Sequence, residues 1–261
     1  MYTFSKLGNY GRLGNQMFQF ATLLSLAKLK KTSIVIPQSA GELINTFPMV
    51  SQYVSSDIPT FPIYKEEGFL YSSNIFLLQD DIDIEGYFQS EQYFLANKDT
   101  VADHFQFEQV ISHVCEEKIS LIKSKHSTNY VCGVHIRRGD YLKIPEVHTN
   151  LTLEYYMTAM SWIAQNYNGV TFLIVSDDIE WCRQNMEHPD VIFSDFTDQA
   201  YDMCILQKCD LHVIANSSFS WWPAWLSNSK QVIAPKTWFG PSGPPEWYTL
   251  YCRDWGILDA V

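Results

Sequence analysis

From residue 130 onward, short apolar runs alternate with helical segments, and this alternation constrains the fold of the 261-residue chain more than any other feature. The runs 130–136, 170–176, 191–193, 211–215 and 231–234 read as strands, and segments 152–167, 178–185, 198–209 and 219–226 as the helices between them. Strands apolar on both faces and separated by helices indicate βαβ units around a buried parallel sheet. The first half is less regular. Residues 2–5 read as a strand, followed by a Gly-rich loop at 8–15 and a helix over 16–31. Further strands are expected at 33–36, 75–78 and 82–88, with a helix over 107–125. The stretch 38–74 reads as irregular, punctuated by Pro48, Pro59 and Pro62. The polar break at 123–129 divides the chain. The expected fold is therefore α/β, with two Rossmann-like domains, 1–125 and 126–261, facing a cleft and a tail, 241–261, able to pack back on the first.

In open parallel sheets, ligands bind outside the carboxyl ends of the strands, so the residues that follow each strand carry the functional signal. Arg137-Arg138-Gly139-Asp140 follows the first strand of the second half, Ser176-Asp177-Asp178 the second, and Asn216-Ser217-Ser218 the run 211–215. All three belong at one sheet edge. Guanidinium groups grip phosphate oxygens in pairs, and the amides and hydroxyls at the start of the 219–226 helix, Phe219 included, make a second anion site. Asp177 or Asp178 can accept from adjacent N–H donors, as guanine offers and adenine does not. The chemistry leans toward a guanine nucleotide diphosphate. Strand alternation puts His135 and Arg137 on one face, where they are expected to share a partner. Each cluster has a plainer reading: a turn closed by an ion pair, or a helix cap. The functional reading rests on their coincidence at one edge.

Composition narrows the field. With 18 basic against 29 acidic residues the net charge is −11, which argues against a nucleic-acid partner. No apolar run is long enough to span a bilayer, so no integral membrane segment is expected. The segment 17–27 reads as an amphipathic helix rather than a secretory leader. The six cysteines lack zinc-site spacing and read as reduced, buried thiols. The expected location is the cytoplasm, with peripheral attachment at the inner membrane compatible. Asp81-Ile82-Asp83 matches a metal-binding DxD pattern, but Ile82 and Ile84 fit an alternating strand, and the structural reading is preferred.

The motifs as a set resemble the α-1,2-fucosyltransferase family, glycosyltransferase family 11. They are Gly11-Arg-Leu-Gly-Asn-Gln-Met-Phe-Gln-Phe-Ala21, Gly86-Tyr-Phe-Gln-Ser90, His135-Ile-Arg-Arg-Gly-Asp-Tyr141, Phe172-Leu-Ile-Val-Ser-Asp-Asp178, Asn216-Ser-Ser-Phe-Ser-Trp-Trp222 and Val232-Ile-Ala-Pro-Lys236. The central motif is shared in shorter form with α-1,6- and protein O-fucosyltransferases. The resemblance implies a GT-B fold, a GDP-fucose donor, inversion at the anomeric carbon, and no metal or other cofactor. It implies a galactose-bearing oligosaccharide or lipid-linked glycan as acceptor. It also implies that Arg137 holds the β-phosphate, that Arg138 assists or braces the loop, that His135 and Asp177 or Asp178 meet the guanosine, and that Ser217 and Ser218 meet the pyrophosphate. Gly11, Arg12, Asn15 and Gln16 fall on the sugar side, with glycines letting the backbone approach the ligand. For the general base, Asp140, Glu146 and His148 remain open, as does a donor phosphate oxygen. The competing readings are another fucosyl linkage or acceptor, a metal-dependent transferase, and a GDP-sugar binder without catalysis.

Overall fold

The computed structural model describes Met1–Asp259, and the alternation resolves into two all-parallel sheets, one in each of two compact units. The first unit comprises Met1–Glu108 and Glu246–Cys252. Its elements are β1 (Tyr2–Thr3), α1 (Leu13–Lys30), β2 (Ile34–Pro37), α2 (Gly41–Thr46), β3 (Val54–Ser55), β4 (Ile63–Lys65), β5 (Ile82–Glu85) and α3 (Lys98–His104). The strand order is β3-β2-β1-β5-β4, with Tyr2 in register with both Ile34 and Ile82. Helix α1 is buried along most of its length from Leu13 to Ala27, so it is a core helix rather than an amphipathic one. It stops where Lys31 turns left-handed (φ 54°), with Lys28 and Lys30 beside the negative end of its dipole.

The first half departs from its sequence reading in four places. Helix α1 starts three residues early, because Arg12 adopts an extended N-cap conformation and Gly14 is buried in the first turn. The expected strand 75–78 is a 3-10 turn, Ser73–Leu77, opened by the Ser72 hydroxyl accepting from the Asn74 amide. Strand β5 ends at Glu85, because Phe88 takes a left-handed backbone (φ 52°) that no strand continues through. The stretch 38–74 holds α2, β3 and β4. These strands are two and three residues long, and Ile63 is exposed, so apolar alternation could not announce them.

The second unit comprises Gln109–Pro245 and the chain from Arg253. It contains α4 (Gln109–His126), β6 (Tyr130–Ile136), α5 (Leu153–Asn166), β7 (Val170–Ser176), α6 (Ile179–Asn185), β8 (Val191–Phe193), α7 (Gln199–Gln207), β9 (Leu211–Val213), α8 (Ser218–Leu226), β10 (Val232–Pro235) and β11 (Gly256–Leu258). Every adjacent pair in the order β11-β10-β9-β6-β7-β8 is parallel. Val134, Ile136, Ile163 and Ile174 are essentially fully buried, each contributing roughly 1.5–3 kcal/mol of apolar burial. Thr152, Asp178, Asp198 and Ser217 cap the helices that follow them.

The unit boundary falls at Glu108/Gln109 rather than at 125/126, because α4 packs on α7, where Lys208 pairs with Glu116 at 2.6 Å. Of the tail expected to return to the first unit, only 246–252 does so. There Thr249 accepts from Ser90 Oγ (2.6 Å) and from the Tyr71 amide (3.0 Å). Residues 256–258 instead pair with β10, and 260–261 lie outside the described residues. No helix of the described residues is long and apolar enough to cross a membrane. All six cysteines are buried as thiols.

Candidate active site

In the second sheet, the strands after β6 build outward on one side and those from β9 on the other, so the order reverses between β6 and β9. The crevice outside the carboxyl ends at such a reversal is where open α/β sheets bind ligands. The loop leaving β6 carries Arg137 to Tyr141, and the turn leaving β9 carries Asn216 and Ser217 into α8. Tyr141 Oη donates to the Asn216 carbonyl at 3.2 Å, which joins the arginine loop to the α8 N-terminus.

Both arginines are held by carboxylates. Arg137 meets Asp140 at 2.6 Å and Asp177 at 3.0 Å, and its Nε has no partner among the described residues. Arg138 pairs with Asp178 at 3.0 Å and lies over Trp181, 3.7 Å from the ring centre. Asp177 also accepts from the Arg138 amide at 2.9 Å, and Asp178 accepts from the Trp181 amide as the cap of α6. Gly139 makes room for this, since a Cβ there would stand 2.5 Å from Asp177 Oδ2. Asp177 and Asp178, one of which is expected at a purine edge, thus each pair with an arginine. The two arginine side chains are equally buried, 21% and 22% exposed.

His135 and Arg137 are neighbours but share no partner among the described residues. His135 is buried, packs on Phe219 with centroids 5.2 Å apart, and leaves Nδ1 without a partner among the described residues. Burial, with Arg137 adding repulsion, pushes its pKa down to about 3, so the ring is neutral. Of the three base candidates, Asp140 pairs directly with Arg137, and His148 lies beside it through Tyr141. Its ring stacks on Tyr141 at 4.1 Å and 7°, and Arg137 lies 5.3 Å from the other member of that stack. Burial lowers the His148 pKa, and Nδ1 has no partner among the described residues. Asp140 is committed to Arg137. The Glu146 side chain is exposed, while its carbonyl accepts from Ser242 N at 2.7 Å.

Ser217 caps α8 by accepting from the Phe219 amide at 3.2 Å, and Ser218 begins the helix half-exposed. Asn216 donates to the carbonyls of Thr149 (2.8 Å) and Trp238 (2.7 Å), tying the 140–149 loop to the segment after β10. Tyr141, Trp181 and Phe239 received no role in the sequence reading. Only the position of Tyr141, four residues after Arg137, could have signalled one.

In the first unit, the Gly8 position faces the Ser39 carbonyl closely enough that no Cβ fits, and Gly11 (φ 79°) abuts the Asn15 side chain. These glycines make room for the chain itself. Arg12 is exposed and pairs with Glu42 at 2.8 Å, whereas Asn15 accepts from Gln89 Nε2 at 2.6 Å. Gln16 is buried and receives the Leu43 amide at 3.3 Å, so it supports the loop from beneath. Asp81 pairs with the N-terminus, and Asp83 is buried, accepting from Thr3 Oγ1 (2.9 Å) and from Ser5 N (2.8 Å) and Oγ (2.5 Å). Both DxD carboxylates are structural. No group of three or more His, Cys, Asp or Glu suited to a metal occurs among the described residues.

Comparison with known proteins matches this arrangement to one family. The profile of glycosyl transferase family 11 covers residues 3–255. An alpha-1,2-colitosyltransferase of Escherichia coli is 32% identical over 221 residues, spanning 80% of this chain and 71% of that protein. The galactoside 2-alpha-L-fucosyltransferase SEC1 of Bos taurus is 29% identical over 85% of this chain, which spans 64% of it. Among solved structures, POFUT1 in complex with GDP-fucose superposes with a TM-score of 0.57 at 11% identity, covering 98% of this chain and 96% of that one. The fucosyltransferase NodZ from Bradyrhizobium superposes at 0.55 and 14%, covering 94% and 96%. At these identities the likeness carries the fold, the GT-B class of two Rossmann-like units, and nothing finer. The chain belongs to glycosyltransferase family 11.

Proposed function

We propose that this chain transfers L-fucose from GDP-β-L-fucose to the 2-hydroxyl of a terminal galactose, with inversion and without a metal. The observation that carries the reading is the Tyr141–Asn216 bond, which makes the arginine loop and the α8 N-terminus one site at the strand-order reversal. As the bond from the sugar to GDP breaks, negative charge grows on the leaving phosphate. Arg137, pre-aimed by Asp177 and Asp140, and the first amides of α8 supply fixed positive charge for it. His148 is neutral and clamped in a ring stack, so it is available to take the acceptor proton. The acceptor is a galactose-containing oligosaccharide or a lipid-linked glycan. GDP release from GDP-fucose, measured with and without β-galactosides in excess EDTA, tests the reading. Acceptor-dependent release that survives EDTA supports it. Release abolished by EDTA overturns the metal-free mechanism, and GDP binding without release from any acceptor overturns the transferase.

The colitosyltransferase relative favours a second donor, since colitose is fucose without its 3-hydroxyl. The two donors separate cleanly. A site that hydrogen-bonds the hydroxyl rejects the deoxy sugar by roughly 10⁴-fold, whereas a site built for the deoxy sugar rejects fucose by only about 10²-fold. The ratio of kcat/KM for GDP-fucose and GDP-colitose decides between them.

A further inference from the structure

We propose that Tyr10 and Tyr87 form a stacking platform for a pyranose ring of the acceptor glycan. This rests on the transferase reading and locates an acceptor subsite within the first unit. The first sheet also has a strand-order reversal: β2 and β3 build out on one side of β1, and β5 and β4 on the other. The loops that leave the carboxyl ends of β1 and β5 therefore flank the crevice where an open sheet holds its ligand. One loop contributes Tyr10 and the other Tyr87. Their rings meet edge to face, with centroids 5.3 Å apart and planes at 81°.

The arrangement is fixed from below and open above. Glu66 accepts from the amides of Tyr87 (2.7 Å) and Phe88 (2.9 Å), and it packs so closely on Gly86 that a side chain there would collide with it. The Gly86 carbonyl accepts from Tyr10 Oη (3.3 Å) and Gln19 Nε2 (3.1 Å). Phe88 is buried in a left-handed backbone, a costly conformation for a bulky residue that the Glu66 clamp helps to hold. The strained turn sends Phe88 inward and leaves Tyr87 39% exposed, its hydroxyl without a partner among the described residues.

The surroundings select a neutral ligand. Lys6 and Lys65 share Glu85, at 2.8 and 3.9 Å, and Arg12 pairs with Glu42 at 2.8 Å, so each of these cations already faces a carboxylate. A pyranose offers a flat apolar C–H face for an aromatic ring and hydroxyls at its rim, which fits two tyrosines at right angles.

The test compares Tyr87→Ala and Tyr87→Phe with the parent chain, using lactose and methyl β-galactoside. The alanine variant is expected to raise the acceptor KM about tenfold, with kcat and the donor KM within about twofold. Phenylalanine, which keeps the stack, is expected to restore the acceptor KM. An unchanged acceptor KM in the alanine variant, or an equal rise in the donor KM, overturns the proposal. Saturation-transfer NMR of the same sugars reads binding without turnover. Signal seen with the parent chain and lost in Tyr87→Ala supports the platform even if no fucose is transferred, a failure that would fall on the transferase reading alone. Equal signal in both, or none in the parent, overturns the platform.

Discussion

Replacing Arg137 with alanine separates catalysis from folding, and the structure sets both magnitudes. The side chain is 21% exposed and makes two ion pairs, to Asp140 and Asp177. Asp140 is 56% exposed and returns to water when released, and Asp177 keeps the Arg138 amide at 2.9 Å. No carboxylate is left buried and unpaired, so the folding cost is about 1 kcal/mol, a fall in Tm of roughly 2–4 °C. The catalytic cost is larger. Loss of one fixed donor to a developing oxyanion typically removes 10²–10³-fold in kcat, about 3–4 kcal/mol. Arg137→Lys keeps the charge but loses the planar fork, and is expected to fall between alanine and the parent chain. The assay is GDP release at saturating donor and acceptor, with Tm recorded on the same samples. Turnover within about threefold of the parent in Arg137→Ala would refute the assignment. A fall in Tm beyond 10 °C would refute the claim that the arginine serves chemistry rather than the fold.

Gly139→Ala should act on the same residue at one remove. The new methyl would press on Asp177 Oδ2 at 2.5 Å and turn the carboxylate away from Arg137, so kcat should fall by about tenfold or more with Tm nearly unchanged. Unaltered turnover would show that Asp177 does not aim the arginine. Glu66→Gln should change the pH dependence of stability. Burial raises the Glu66 pKa from 4.5 to about 7, so the native state binds its proton more tightly than the unfolded chain. The stability that this supplies is complete below pH 4.5 and is lost as pH rises through 7. The glutamine variant lacks that loss, so between pH 4.5 and 7 its stability relative to the parent should climb by roughly 1 kcal/mol per pH unit, read from urea midpoints. Parallel pH profiles would refute the shift.

The second unit was legible because its strands are buried on both faces. Seven-residue runs such as Val131–Ile136 with Tyr130 announce themselves by apolar continuity, and the residues at their ends then fall at one edge without further information. The first unit was less legible for a physical reason. β1 and β3 are two residues long, and β4 carries an exposed isoleucine, so their pairing is decided by neighbours distant in sequence. Residue type showed where charge would gather, but not who would claim it. Asp177 or Asp178 was expected at a base edge, and the sequence could not show that each also pairs with an arginine, because the arginine loop lies against the end of β7. The stack of Tyr141 on His148 was hidden for the same reason: seven residues of irregular loop carry no period from which to predict that two rings meet. The glycines of the first loop show the same limit, since the sequence alone does not show that Gly8 faces the Ser39 carbonyl and Gly11 the Asn15 side chain.

The central claim is most directly tested by the structure of the product. The chain is incubated with GDP-β-L-fucose, a β-galactoside and excess EDTA, and the purified saccharide is read by NMR. The account predicts fucose in α linkage on the galactose 2-oxygen. A β-linked product, or fucose on any other oxygen, would contradict it.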